Sequence, residues 1–268
     1  MTPCLLSIAL VVGCKNVDSP KESVLTIEQR RATITAAMDY LDAGKFTESL
    51  AIMKALVNKD PSGAETQESY GLVLLACASE AEDRGDSKRA LTNRTLALEA
   101  YKLACNTASK PGLLQLSTAQ LAHMIGKKTI ANQYYELAHN TNLNDARASF
   151  FLSQLYMLDR QWVEAKTWID LSLTRNAHEP FALMSSALIE AELGNTQLAL
   201  DRATRGCFIN PDNPNLRVMQ ARVLRLTGSA EQALNILRAL PPTTQESSIT
   251  QDEIAQCRIA IQEQMGAP

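Results

Sequence analysis

The sequence predicts an all-α solenoid of helical hairpins, and three observations carry that reading. Ala131, Ala165, Ala199 and Ala233 recur at intervals of 34, 34 and 34 residues. Twelve positions earlier the same interval links Ala119, Ser153, Ala187 and Ala221, so every unit has two small residues where two helices must cross closely. Gly126, Gly194 and Gly228 keep the period as well, broken once by Arg160. A glycine there ends a helix, because it takes a positive φ without steric cost. Composition agrees: 46% of residues are hydrophobic but only 5% aromatic, which suits Ala- and Leu-rich helices better than a β-sandwich.

A 34-residue pair of antiparallel helices with small residues at these places resembles the tetratricopeptide repeat. The resemblance implies a right-handed superhelical solenoid of six hairpins closed by a capping helix, with a concave groove that binds a protein or peptide. The units fall at 30–63, 64–111, 112–145, 146–179, 180–213 and 214–247. In the first, Ala37, Tyr40, Gly44, Ser49, Leu56 and Pro61 follow the pattern. In the second, Tyr70, Gly71 and Leu74 match the first helix, whereas Ala97, Tyr101 and Ala104 match the second only after an insertion of 14 residues. The turn glycine, Gly85, divides that insertion into seven residues per helix, which predicts a hairpin that keeps register and projects about 10 Å further. Pro241 and Pro242 clip the second helix of unit six. Residues 248–268 then supply the cap and tail, with Ile254, Cys257, Ile261 and Met265 on one face of a helix starting at Thr250 or Gln251.

Residues 1–14, MTPCLLSIALVVGC, hold an apolar run from Cys4 to Val12 that is too short to span a bilayer as a helix. A short apolar core, a small residue and then a cysteine resemble a bacterial lipoprotein signal, which implies that Cys14 becomes the lipidated N-terminus. The segment departs from that family in having no Lys or Arg before the run and only thirteen residues before the cysteine. Residues 15–29 join it to the first unit; as far as Thr26 they have the charge, proline and lack of period of a flexible tether. Lys15 after the cysteine implies, by the same resemblance, sorting to the outer membrane. Repeats behind such a cysteine are similar in architecture to the pilotin lipoproteins of type IV pilus secretins, implying a periplasm-facing scaffold that assembles or localises an envelope complex. The alternative is a cytoplasmic adaptor or co-chaperone whose N-terminus is merely apolar.

A net charge of −3 and a pI near 5.7 argue against the cationic stripe that a nucleic-acid partner needs. The six cysteines contain no C-x-x-C pair, so neither a zinc site nor a redox motif is expected. Cys77 and Cys105 fall at different heights of one hairpin and should not pair, while Cys207 and Cys257 are left open. His123, His139 and His178 lack partners at metal-ligand spacing. No catalytic constellation, metal or cofactor is expected, and the chain reads as non-enzymatic. Gly126-Lys127-Lys128-Thr129 is superficially like the tail of a phosphate loop, but the upstream glycine slot holds Leu121. Arg84-Gly85-Asp86 reads as a helix stop followed by a cap rather than an adhesion tripeptide.

The groove is where function should lie. Carrying the family's concave first-helix positions across gives Ile34, Met38, Leu72, Leu116, Met124, Phe150, Met157, Phe181, Met184 and Leu188, with Arg222 and Arg225 forming a basic end. Met and Phe are adaptable enough to receive a helix or an extended peptide. The opposing reading, that these residues pack between helices, stands about even residue by residue. The Lys and Asn of the chaperone carboxylate clamp would fall at Ile34 and Met38, so that clamp is not expected.

Overall fold

The computed structural model describes residues 25–266, which form fourteen α-helices and no strand. Cys4, Cys14, the signal-like segment 1–14 and most of the tether lie outside the described residues. Six hairpins follow: α1 (Ile27–Asp42) with α2 (Phe46–Lys59), α3 (Ala64–Asp83) with α4 (Ser87–Thr107), α5 (Gly112–Met124) with α6 (Lys128–Thr141), α7 (Ala146–Leu158) with α8 (Trp162–Arg175), α9 (Pro180–Glu192) with α10 (Thr196–Ile209), and α11 (Pro214–Leu226) with α12 (Ala230–Arg238). A single turn, α13 (Pro242–Gln245), leads into α14 (Ser248–Gly266). Helix α1 starts at Ile27, where the tether-like composition ends. The reason is a capping box: Thr26 accepts from the Gln29 backbone amide while the Gln29 side chain accepts from the Thr26 amide.

The eight small residues that set the period, Ala119 to Ala221 and Ala131 to Ala233, are all fully buried at helix crossings. Where serine replaces alanine its hydroxyl is satisfied locally, as when Ser49 donates to the Ala37 carbonyl at 2.8 Å and Ser153 to that of Phe150 at 2.7 Å. The turn glycines take left-handed backbone, φ 73° at Gly126, 81° at Gly194 and 90° at Gly228. Arg160 takes the same geometry at φ 56°, which costs an L-residue about 1–2 kcal/mol that glycine avoids.

Helices α3 and α4 are 20 and 21 residues long against 13 and 14 in the next hairpin, so the insertion divides as seven and seven. Ala78, Ala81 and Ala90 close the extra turns with a small apolar zipper, and Glu82 receives a two-pronged hydrogen bond from Arg94 across the pair. At the tip Asp86 accepts from the Arg89 amide at 2.9 Å and Arg84 pairs with Glu80 at 2.7 Å. Lower down, Gly71 lets the Tyr101 ring lie flat on α3; a Cβ there would sit 2.4 Å from the ring.

Helix α14 covers the end of the solenoid with Ile254 and Cys257, which pack with Leu234 and Leu237, and with half-buried Ile261. Met265, expected on the same face, is exposed. By Gln264, whose side chain donates to the Gly228 carbonyl at 3.1 Å, the helix has reached the α11–α12 turn and has nothing further to pack on. Cys77, Cys105, Cys207 and Cys257 are free thiols. No helix among the described residues is long and apolar enough to cross a membrane.

Candidate peptide-binding groove

The first helices of successive hairpins line the concave side, and two cavities open along it. The larger, about 730 Å³, runs from Gln154, Met157 and Leu158 on α7 across Leu188 and Glu192 on α9 to Val218, Met219, Arg222, Arg225 and Leu226 on α11. Helix α14 supplies its end wall through Ile249, Asp252, Glu253 and Gln256. The second, about 410 Å³, lies between the starts of α7 and α9, where Phe150, Phe151 and Phe181 meet Gln120 and Glu179. Phe150 and Phe151 pack edge to face at 5.3 Å. Gln154 donates to the Ser185 hydroxyl at 2.9 Å, tying α7 to α9 in the groove floor.

The sequence-derived lining divides in two. Met157, Arg222 and Arg225 line the larger cavity, with Leu188 reaching it from the core at 7% exposure, Phe150 and Phe181 line the smaller, and Leu72 and Met124 are exposed. Ile34 and Met38 are half-buried against the core of the first two hairpins. Leu116 and Met184 are corrections: at 4% and 0% exposure they are core residues. Each belongs to a core cluster that includes residues of the adjoining second helix, so a ligand would have to displace the core to touch them. What the sequence reading missed is the polar face of α14, since α14 was expected only as a cover for the apolar end. The alternation of Ile249, Asp252, Glu253 and Gln256 with buried Ile254 and Cys257 was the available signal.

Arg225 is not a free basic end. It binds Glu253 through Nε at 2.5 Å and Nη2 at 3.3 Å. Burial alone would lower its pKa, but the hydrogen bond and the charge of Glu253 outweigh burial and raise it. Beside it, burial pushes the Cys257 thiol up to about 11, with Glu253 adding to the effect. A thiol so shifted is a packing residue rather than a nucleophile.

Away from the groove lie two polar clusters. His139 contacts the Ser149 hydroxyl at 3.0 Å, but Ser149 is fully buried and Arg175, not a carboxylate, approaches the ring at 2.9 Å. Burial first and Arg175 second lower the His139 pKa, so the ring is a neutral acceptor. His123 is likewise lowered by burial and then by Lys128, and packs edge-on against Tyr135 at 6.4 Å. The second cluster surrounds the fully buried Glu190, which accepts from Lys166 at 2.5 Å, Asn195 at 2.7 Å and Arg202 at 3.1 Å. Arg175 lines a cavity of about 470 Å³ and Arg202 one of about 340 Å³, but His139, Ser149 and Glu190 line neither, and no three His, Cys, Asp or Glu among the described residues are grouped to hold a metal.

The architecture is therefore that of a tetratricopeptide-repeat solenoid. Among solved structures it is similar to a tetratricopeptide repeat protein from Parabacteroides merdae, at 18% identity and a TM-score of 0.63, over 90% of this chain and 94% of that one. PilF of Pseudomonas aeruginosa is similar at 17% identity and a TM-score of 0.61, over 85% and 98%. A repeat-containing protein from Cytophaga hutchinsonii gives 15% and 0.60, over 84% and 87%. These likenesses show the fold. No family model matches the sequence, and no curated protein matches it.

Proposed function

We propose that this chain is a non-catalytic interaction scaffold whose concave groove takes a protein or peptide segment with an apolar face. It is held by lipid on Cys14 at the periplasmic side of a bacterial envelope, in the outer membrane, where it helps to assemble or localise an envelope complex. The observation that carries the binding role is the 730 Å³ cavity, floored by apolar first-helix side chains and walled by α14. A concavity of that size, with apolar side chains and polar groups in equal number, suits a peptide that presents both. The similar structures include one of a Cut9–Hcn1 hetero-tetramer and an assembly chaperone of RpL4, in keeping with a fold that works through partners.

A photo-crosslinking residue at Leu158 in the groove should yield a partner adduct in the native host, while the same residue at exposed Phe208 on α10 should not. Equal adducts from both positions would contradict a groove-based role. Cys14→Ser should move the protein from the detergent-soluble membrane fraction to the soluble one and abolish labelling by a palmitate analogue. Wild-type protein without label would make the cytoplasmic adaptor the better account.

A further inference from the structure

We propose that the groove selects its occupant by charge at the turns of repeats three and four, where it holds the acidic residues of an amphipathic segment beside Lys127 and Arg160. The inference rests on the groove being a binding site and adds which chemistry it prefers.

Two independent observations lead there. Arg160 alone among the six hairpin turns places a side chain in left-handed backbone, at φ 56°, where Gly44, Gly85, Gly126, Gly194 and Gly228 stand in the others. A Cβ at those five glycines would meet nothing within 4 Å, so glycine is favoured at these turns by backbone conformation and not by lack of space, and the Arg160 side chain lines the larger cavity. Strained backbone of this kind clusters at ligand-binding positions.

The second observation is the charge around it. Lys128 pairs with Asp159 and so ties the two turns together. Among the described residues Lys127 and Arg160 have no ion-pair partner. These two turns thus carry three cations and one carboxylate, and that carboxylate is taken by Lys128. Beside them Met124 and Leu158 are 66% and 70% exposed, so the rim is apolar and cationic together. At the far end of the cavity the charges are mixed instead: Arg225 is neutralised by Glu253, and Arg222 stands with Glu192 and Asp252. A helical occupant fits with apolar residues toward Leu158 and Met157 and Asp or Glu toward the repeat-three side. Such charges steer encounter and fix register.

The test pans the full chain with a phage-displayed library of peptides of about 14 residues, four helical turns. Leu, Phe or Met occupies one face, and Asp, Glu, Lys, Gln and Ala are mixed elsewhere. Enriched peptides should be acidic and bind less tightly as salt rises. The double variant Arg160→Gly, Lys127→Gln should bind them about tenfold more weakly, the scale of two partly exposed ion pairs, while Arg160→Gly alone raises Tm. Stabilisation combined with lost affinity separates a ligand contact from a structural arginine. Apolar peptides enriched without acidic bias, or acidic ones indifferent to the double variant, overturn the charge selection and leave the groove standing if Leu158→Asp abolishes binding. A library that enriches nothing, or peptides indifferent to Leu158→Asp, overturns the groove itself and this inference with it.

Discussion

The hairpins of repeats two and five depart from the common unit in opposite directions. Repeat two lengthens both helices by seven residues and closes the added turns with Ala78, Ala81 and Ala90 and the Glu82–Arg94 pair. Repeat five keeps its length but buries Glu190 at a place held by Tyr40, Leu74, Ala122, Tyr156 and Leu224 in the other units, and surrounds it with Lys166, Arg202 and Asn195. An addition along the hairpin axis extends the pair beyond the length of the next hairpin. A charge at the crossing must be answered by residues of two hairpins. The solenoid is therefore tolerant at its tips and demanding at its junctions, as expected where stability is a sum of repeat and interface terms.

The largest effect that could break this comparison is at Glu190. Its replacement by Ala leaves Lys166 and Arg202 to share Asp170 alone and should cost about 2–4 kcal/mol in urea unfolding, the lower part of the range for a buried pair because both cations reach water and keep that carboxylate. A loss no greater than that for Glu82→Ala, whose pair with Arg94 lies at the exposed tip, would show that the junction is not demanding. Next comes Gly71→Ala, which drives a methyl group into the Tyr101 ring and should cost about 1–3 kcal/mol, as overpacking does. Deleting Ala78–Arg84 together with Lys88–Arg94 retains the Gly85-Asp86-Ser87 turn and should shift Tm by less than about 5 °C. A larger fall would mean that the tip packs on something else.

The smallest effect is one of pH. Below the unfolded histidine pKa of 6.5 the unfolded chain binds a proton that His139, lowered by burial and Arg175, does not. Stability tied to His139 is therefore complete above pH 6.5 and lost as pH falls toward its folded value. His139→Gln should flatten the decline in Tm between pH 7 and 5, leaving the smaller contribution of His123. For Glu190 burial would raise the carboxyl, but the bonds from Lys166 and Asn195 and the charges of Lys166 and Arg202 bring it below 4.5. Its stabilisation is present above that value and fails only in stronger acid.

The period made the hairpins, the turn glycines and the seven-plus-seven insertion legible, because each is a local requirement repeated at fixed spacing. Glu190 was harder to read: its partners lie 24 and 12 residues away on two helices, and nothing in the repeat pattern pairs those positions, although a carboxylate in a slot otherwise held by Tyr, Leu or Ala was a visible irregularity. The groove was legible in half. A first-helix position faces both the concave side and the adjoining second helix, and side-chain size and neighbours decide which. Phe150 stays half-open whereas Met184, its counterpart one repeat later, is swallowed by the core.

That division points to the most direct test of the groove. Phe150 and Phe181 line the smaller cavity and are partly exposed, so replacing both with Ala should weaken an enriched library peptide by at least about 2 kcal/mol in calorimetric titration, the scale of aromatic anchors at an interface. Circular dichroism and Tm should stay close to wild type. Unchanged affinity, or a loss of several kcal/mol of folding stability of the kind that core truncation brings, would contradict the assignment of this concave face as the binding surface.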